Sequence, residues 1–334
     1  MRLKTPSRKS VALKKPDLER IASAYRDKSV LVTGGAGFVG SHLVERLAEL
    51  AADVTVLDNF SSGRRENIEH LEDRIRIVEG DVRDDELVES LVRGKSVVFH
   101  LAAIPSVDAS VRDPVGTNAV NLCASVRLFE LCGRLGVDSV VFASSSAVYG
   151  APKELPLSES APLGPASPYG VQKLACEHYG LVLSRAGGFS FVALRFFNIY
   201  GPRQDPDSPY AAVIPRFVAA LLAGRPPVIF GDGTQTRDFV YVSDAVAALL
   251  LAGGCGASGV FNVASGRSVS VRELADTLIG MIGGKEPVYD EPRPGDIKHS
   301  WADISAIRER LGYEPSVVLD AGLARYIEWF RGRM

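Results

Sequence analysis

The sequence predicts an α/β fold built on a doubly wound parallel sheet, with a smaller C-terminal domain, and three observations carry that expectation. Short β-branched runs alternate with helix-length amphipathic segments from Ser29 onward; the runs are continuously apolar; and a glycine-rich turn joins the first run to the first helix. Strands alternating with helices build a parallel sheet through crossover connections. Continuous apolar character belongs to strands covered on both faces.

Taken in order, residues 1–27 are a basic N-terminal extension carrying Arg2, Lys4, Arg8, Lys9, Lys14 and Lys15, with a helical pattern from Pro16 to about Tyr25. Such charge runs usually face water, so this reads as a solvated tail leading into a short docking helix. Val30-Leu31-Val32 is the first strand, Phe38 to Leu50 the first helix and Val54 to Leu57 the second strand. Further strands are expected at Ile75–Val78, Ser96–His100, Ser139–Ala143 and Phe191–Leu194. These place one domain over residues 28–195, with 235–262 returning to it. Beyond Phe196 proline and loops become frequent, and helices are expected at Ala211–Ala223, Val242–Leu251, Val271–Met281 and Asp320–Arg331. Residues 196–234 and 263–334 form the expected second domain.

Composition narrows the partners. With 334 residues, 46% of them hydrophobic and 23% charged, the chain can bury a substantial core. A formal net charge of −2 favours neither nucleic acid nor a membrane surface as partner. No apolar stretch approaches the roughly 20 residues of a bilayer span, and the first residues lack a secretory apolar run, so a cytoplasmic location is expected. Cys123, Cys132, Cys176 and Cys255 are scattered with no C-x-x-C pair, which points to reduced packing residues and no metal site.

Val30–Thr33 runs into Gly34-Gly35-Ala36-Gly37-Phe38-Val39-Gly40, which reads as G-x-G-x-x-G and as G-x-x-G-x-x-G at a strand-to-helix turn. Glycines there let backbone approach a pyrophosphate, and the helix N-terminus supplies N–H groups for its charge. The next strand ends in Asp58 at the spacing expected of the ribose acceptor in a Rossmann domain. Its charge favours NAD over NADP, although Arg64 and Arg65 stand close by. Gly80-Asp81-Val82 follows the third strand, where a carboxylate and a backbone N–H can read an adenine edge.

Tyr169-Gly170-Val171-Gln172-Lys173 sets a tyrosine and a lysine on one helical face behind the start signal Ser167-Pro168. A phenol near pKa 10 is a poor base at neutral pH, but a neighbouring ammonium and a cationic nicotinamide would favour phenolate. Ser144-Ser145-Ser146 ends the strand Val140–Ala143, at the sheet edge where ligands bind in such folds.

These motifs resemble the extended short-chain dehydrogenases that modify nucleotide sugars, from about Ser29 to Arg331. Besides the glycine turn and Tyr-x-x-x-Lys, the chain has Ser144 to Gly150 reading Ser-Ser-Ser-Ala-Val-Tyr-Gly, His100-Leu101-Ala102-Ala103, Leu194-Arg195-Phe196-Phe197-Asn198, Gly231-Asp232-Gly233 and Arg237 to Val242. The resemblance implies catalytic roles for Ser145, Tyr169 and Lys173. It implies that NAD is held by Gly34, Gly37, Phe38, Val39, Asp58, Asn59, Ser61, Gly63, Asp81, Val82, Leu101, Ala102, Ala103, Tyr169, Lys173 and Phe197. Cys123-Ala124-Ser125 departs from the usual x-Gly-Thr at a helix position close to the cofactor.

Related 4,6-dehydratases carry an Asp-Glu pair directly after the catalytic hydroxyl, and uronate decarboxylases a Glu one position further on. Ser146-Ala147 stands here instead, which disfavours elimination and leaves C4 oxidation followed by reduction on the other face. The segments Phe197–Pro206 and Tyr210–Pro215 are similar to those of UDP-N-acetylglucosamine 4-epimerases. By that likeness Asn198, Gln204, Ala212, Val213, Phe230, Arg237, Arg293 and Asp296 hold the UDP-sugar, with Ser106, Ser145, Ser146 and Tyr169 beside the sugar. Ser300 takes the place of a bulky tyrosine that restricts other epimerases to hexoses. UDP-glucose and UDP-galactose are expected as further substrates; UDP-glucuronate, a nucleotide-sugar reductase and a catalytically silent NAD-binding sensor are the alternatives. The resemblance also implies a homodimer formed through the helices near 122–133 and 169–184.

Overall fold

The computed structural model describes residues 21–152, 154–205, 212–292 and 297–333. Its strands run β1 Ser29–Thr33, β2 Asp53–Asp58, β3 Arg76–Glu79, β4 Val97–His100, β5 Ser139–Ser145, β6 Ser190–Phe196, β7 Asn198–Tyr200, β8 Val228–Phe230, β9 Thr236–Arg237, β10 Phe239–Tyr241, β11 Gly259–Val263, β12 Val269–Ser270 and β13 Val288–Asp290. The helices are α1 Phe38–Glu49, α2 Asp85–Val92, α3 Val107–Arg112, α4 Pro114–Asn118, α5 Ala124–Arg134, α6 Pro168–Gly187, α7 Val213–Leu222, α8 Val242–Gly254, α9 Val271–Ile282, α10 Ser305–Leu311 and α11 Leu319–Arg331.

Seven parallel strands make the main sheet in the order β11-β6-β5-β4-β1-β2-β3. Because strand side chains alternate between faces, Val30 and Val32 join Leu43, Val44 and Leu47 of α1 and Ala245 and Leu249 of α8 in one core. Leu31 joins Leu91 of α2, Phe129 of α5 and Cys176 of α6 in the other. A third core of Ile214, Phe217, Ile229, Leu274, Leu323 and Tyr326 lies beneath the C-terminal segments. There β7 pairs with β10, β8 with β13 and β9 with β12 as three small ladders.

The strand order reverses beside β1, whose end Thr33 pairs with Leu57 of β2 and His100 of β4. Connections leave for opposite sides of the sheet there and open a crevice at the strand C-termini, the standard place for a ligand in open α/β sheets.

Of the expected helix from Pro16, residues 16–20 lie outside the described residues. Residues 21–25 are helical. Tyr25 is fully buried, its hydroxyl donating to the Leu250 carbonyl at 2.7 Å and its ring 6.2 Å from that of Phe99. This segment therefore docks on α8 and β4.

Candidate active site

The crevice at the end of β1 is shaped by glycines. Gly34 sits at φ +71, where a Cβ would come within 2.7 Å of the Ala102 backbone nitrogen; a Cβ on Gly40 would lie 2.1 Å from the Gly34 carbonyl oxygen. Side chains at these positions would drive β1, α1 and the Leu101–Ala103 segment apart. Gly37, Phe38 and Val39 begin α1, whose N-terminus has no side-chain cap, so its first N–H groups remain for an anion.

Asp58 ends β2 with its carboxylate turned toward the glycine turn: Oδ2 accepts from the Ala36 N–H and Oδ1 from the Phe60 N–H, both at 2.9 Å. Burial raises its pKa, against these two N–H bonds. Gly63 lies close against the same carboxylate. Asn59 donates to Asp81 at 3.0 Å and accepts from the Ser61 N–H at 3.1 Å. Asp81 is held well below the usual carboxylate range by hydrogen bonds from Arg83; Val82 packs inward beside it. Arg64 is paired with Asp205 at 2.9 Å and Arg65 with Glu72 at 3.0 Å, so both charges near Asp58 are engaged. A glycine cradle with a carboxylate beside it fits NAD: backbone N–H groups for the diphosphate, Asp58 for the adenosine ribose.

Behind Leu101, Ala102 and Ala103 a buried relay fixes the inner wall. Thr33 Oγ1 lies 2.7 Å from His100 Nδ1, His100 Nε2 lies 2.8 Å from Ser125 Oγ, and Ser125 donates to the Asn121 carbonyl at 2.7 Å. Since the Ser125 proton is committed to Asn121, His100 must carry its proton on Nε2 and accept from Thr33 on Nδ1. Burial lowers the His100 pKa to about 3, in keeping with a neutral ring. Ser125, which stands where the resembled pattern has threonine, thus supplies a hydroxyl to this relay. Asn121 lies in a π-helical turn, Ala119–Cys123, and its side chain pairs with the Ile104 backbone in both directions and with Gln172 of α6 at 2.9 Å. Phe197, also expected at the cofactor, is buried; its N–H donates to the Val263 carbonyl at 3.1 Å and its carbonyl accepts from the Ile199 N–H at 2.9 Å.

Tyr169 and Lys173 stand on the first turns of α6. Ser167 caps that helix by accepting from the Gly170 N–H at 3.2 Å, and Ser110 of α3 accepts from the Tyr169 N–H at 3.0 Å. Ser145, at the end of β5, is hydrogen-bonded to the Tyr169 side chain and accepts from the Ala147 N–H at 3.2 Å. Lys173 Nζ donates to the Ala143 carbonyl at 2.8 Å and stands 5.7 Å from the Tyr169 ring centre. Burial pushes the Tyr169 phenol up to about 12, and only the Ser145 hydrogen bond opposes it. Lys173 is itself lowered by burial to about 8, so positive charge beyond its ammonium is needed to bring the phenol down.

Across the sheet edge, Asn198, Ala212, Val213, Phe230 and Arg237 line one cavity of about 270 Å³. Asn198 donates to the Asp238 carbonyl at 3.2 Å, and Arg237 to that of Thr236 at 2.9 Å. Besides Ser145 and Tyr169, four more expected substrate residues do not line that cavity. Ser106 caps α3 through the Ala109 N–H at 3.0 Å, Ser146 opens the short turn after Ser145, and Gln204 donates to the Ile199 carbonyl at 3.3 Å. Ser300 is buried against Thr236, one residue from Arg237. Arg293 and Asp296 lie outside the described residues. Arg216 and Gln235, which the sequence did not single out, do line the cavity: the Arg216 guanidinium sits 5.0 Å over the Phe230 ring, and Gln235 donates to the Phe230 carbonyl at 2.7 Å. Arg216 follows Val213 by three residues on α7, a helical spacing that would have pointed to it.

A doubly wound sheet, a glycine turn with an acidic ribose acceptor, and a serine, tyrosine and lysine at the strand ends define an NAD-dependent enzyme of the short-chain dehydrogenase type. The model for the NAD dependent epimerase/dehydratase family matches residues 30–264, and the chain belongs to that family. The UDP-glucose 4-epimerase of Mycolicibacterium smegmatis is 44% identical over 309 residues, covering 91% of this chain and 98% of that protein. Among solved structures, the UDP-N-acetylglucosamine 4-epimerase of Methanobrevibacter ruminantium M1, in complex with UDP-N-acetylmuramic acid, is 42% identical with a TM-score of 0.89. The match covers 92% of this chain and all of that one, at 100%. The UDP-glucose 4-epimerase of Thermotoga maritima, with UDP-glucose, is 41% identical with a TM-score of 0.87, over 91% and 99% of the two chains.

Proposed function

We propose that this protein is a UDP-sugar 4-epimerase whose main substrate pair is UDP-N-acetylglucosamine and UDP-N-acetylgalactosamine, with UDP-glucose and UDP-galactose also accepted. The observation that carries the reading is the Ser145–Tyr169–Lys173 group, followed by Ser146-Ala147 where a C5 proton would need an acid or base. Named relatives that act on UDP-sugars at C4 support the class.

Bound NAD supplies the acceptor, and then the donor, of the hydride at C4. Tyr169 takes the proton from the sugar O4 and returns it, while Ser145, already hydrogen-bonded to that phenol, holds O4 in line. Lys173, fixed by the Ala143 carbonyl, offers its ammonium to the nicotinamide ribose. Since burial holds the phenol near 12, its acidity depends on positive charge gathered at the ring once cofactor binds. Phe230 stacks on uracil, with Arg216 on its opposite face, and Arg237 meets the diphosphate. The small Ser300 leaves room for an acetamido group.

Two copies are proposed to associate through the helices near 122–133 and 169–184, with α3 and α4 joining the same face, where Val107, Val111, Val115, Val171, Tyr179 and Val182 are exposed. The deciding experiment is kcat/KM on UDP-N-acetylglucosamine, UDP-glucose and UDP-glucuronate separately. A preference for the first supports the full reading. A preference for the uronate overturns the sugar assignment, and no turnover of any of the three overturns the function.

A further inference from the structure

Two charged side chains that take no step in the proposed reaction are buried directly behind the catalytic loop. Arg195 of β6 and Glu177 of α6 have side chains only 4% and 2% exposed and meet through Nη2 at 2.7 Å and Nε at 3.0 Å. Withdrawing such a pair from water is costly, and apolar replacements of similar volume are often neutral or stabilising. Stability alone therefore gives little reason for its presence, and what it touches is more informative.

The pair grips the loop that carries Ser145 on both sides. Ser144, one residue before it, donates to Glu177. Tyr149, four residues after it, accepts from Arg195 Nη1 at 2.9 Å and donates to Asn262 of β11 at 2.6 Å, with the guanidinium 4.9 Å over its ring. Arg195 also donates to the Glu159 carbonyl at 3.2 Å. Asn262 passes the tie on, donating to the carbonyls of Leu157 at 2.9 Å and Asp303 at 3.2 Å. On α6, Tyr169, Lys173 and Glu177 follow one another every fourth residue along one face. The same carboxylate thus stands one helical turn from Lys173 and one bond from the neighbour of Ser145.

We propose that the Glu177–Arg195 pair is a positioning clamp: it fixes Ser145 against Tyr169 and holds the Glu177 carboxylate one helical turn from Lys173. This rests on the epimerase reading for its catalytic consequence, but its structural part does not. The ionisable groups facing Lys173 are Tyr169, Cys176 and Glu177 on its own helix and His100 from β4, with Arg195 from β6 behind Glu177. Burial lowers Lys173, and Cys176 and Glu177 oppose it; since burial keeps His100 neutral and raises the Cys176 thiol to about 11, the opposing charge near neutral pH is that of Glu177. Removing that charge lowers the Lys173 midpoint and moves the alkaline limb of activity to lower pH.

The test uses the NAD-loaded protein with three changes: Ser144→Ala, Tyr149→Phe, and the double variant Glu177→Met with Arg195→Met, which removes the pair without stranding a charge. Thermal melting reports folding, steady-state kinetics give kcat and KM, and NMR of ¹³C-lysine-labelled protein follows Lys173. Expected are a folded double variant with kcat down about 10²-fold, the scale of a misplaced catalytic group, KM little changed and a lower Lys173 midpoint. Ser144→Ala should lower kcat in the same sense by about tenfold, again without a matching change in KM. A folded double variant with wild-type kcat, or with an unmoved Lys173 midpoint, overturns the clamp. Should the double variant fail to fold, wild-type kcat in both Ser144→Ala and Tyr149→Phe overturns it equally. Wild-type protein that turns over no UDP-sugar defeats the sugar reading instead, and the Lys173 midpoint then decides the clamp by itself.

Discussion

Tyr169 shows how far one side chain's chemistry depends on what surrounds it. Its phenol, pushed up to about 12 by burial, has a single hydrogen bond from Ser145 in its favour, so at neutral pH it is a protonated group awaiting nearby positive charge. Tyr169→Phe keeps the ring and its packing but removes the proton carrier, and turnover is expected to fall by roughly 10²–10⁴ with the fold intact. Steady-state kinetics beside a melting curve check this, and near-wild-type kcat would remove Tyr169 from the reaction. His100 gives a second prediction at this scale. Its folded pKa is depressed from 6.5 to about 3, so its neutral ring contributes stability that is fully present above pH 6.5 and is lost as pH falls toward 3. Across that window one withheld proton is worth about 1.4 kcal/mol per pH unit. His100→Asn should flatten the slope of unfolding free energy against pH between 6 and 4, as urea denaturation would measure; equal slopes would show that His100 is not the group responsible. The candidate triad was legible because Tyr169 and Lys173 share a helical face and Ser145 ends a strand. The His100–Ser125–Asn121 relay was not, because its members meet only when β4 and the π-helical turn are packed together.

At the level of elements, the glycine turn was legible because its constraint is local: strand, glycine spacing and helix lie within one short stretch of sequence. The structure adds the reason each glycine is needed. Gly40 sits on α1 where the backbone of Gly34 passes so closely that a Cβ would fall 2.1 Å from a carbonyl oxygen, an atom that cannot rotate away. Gly40→Ala must therefore lever α1 off β1, with an expected loss of about 1–3 kcal/mol as in other overpacked sites and a clear loss of NAD affinity. Calorimetric titration with NAD and a thermal melt test both parts; unchanged affinity and melting point would mean that the turn is looser than described. Six strands of the main sheet stand where their apolar runs do, with β5 and β6 reaching two residues further than their runs at the C-terminal end; the seventh, β11, was not singled out. Those extra residues bring Ser145 and Phe196 to the sheet edge, and polar Ser144 and Ser145 gave no apolar signal to mark them. Helix α10, only seven residues long, was missed because so short a segment carries too few turns for a periodic pattern to emerge.

On the scale of the whole molecule, the candidate active site is divided between the end of β5 and the start of α6, which present Ser145, Tyr169 and Lys173, and the C-terminal ladders, which present the cavity of Asn198, Phe230 and Arg237. The join is short: β6 ends at Phe196 and β7 begins at Asn198, so a single residue, Phe197, carries the chain from the sheet edge of Ser145 to the cavity. A sequence shows the two halves as motifs but not their separation, which depends on how β7 pairs with β10 after the chain has returned through a distant segment. The outer face of α6 lies opposite this arrangement. Val171 and Val182 are eleven residues apart, three helical turns, and so lie on one face of α6 at 52% and 61% exposure; Val107, Val111 and Val115 repeat every fourth residue through α3 and α4, with Val115 at 80%. Such rows are unfavourable in water unless something covers them, and a second copy meeting the first across a two-fold axis covers equal patches on both. Since Ser110 of α3 receives the Tyr169 N–H, the same surface supports the helix that carries Tyr169 and Lys173. Val171→Glu with Val182→Glu should therefore convert a dimer to a monomer in sedimentation velocity while NAD binding persists, because the charges repel across the axis but lie on solvent-facing positions within each copy. If the wild-type chain sediments as a monomer, or the double variant still sediments as a dimer, these valines do not form the interface.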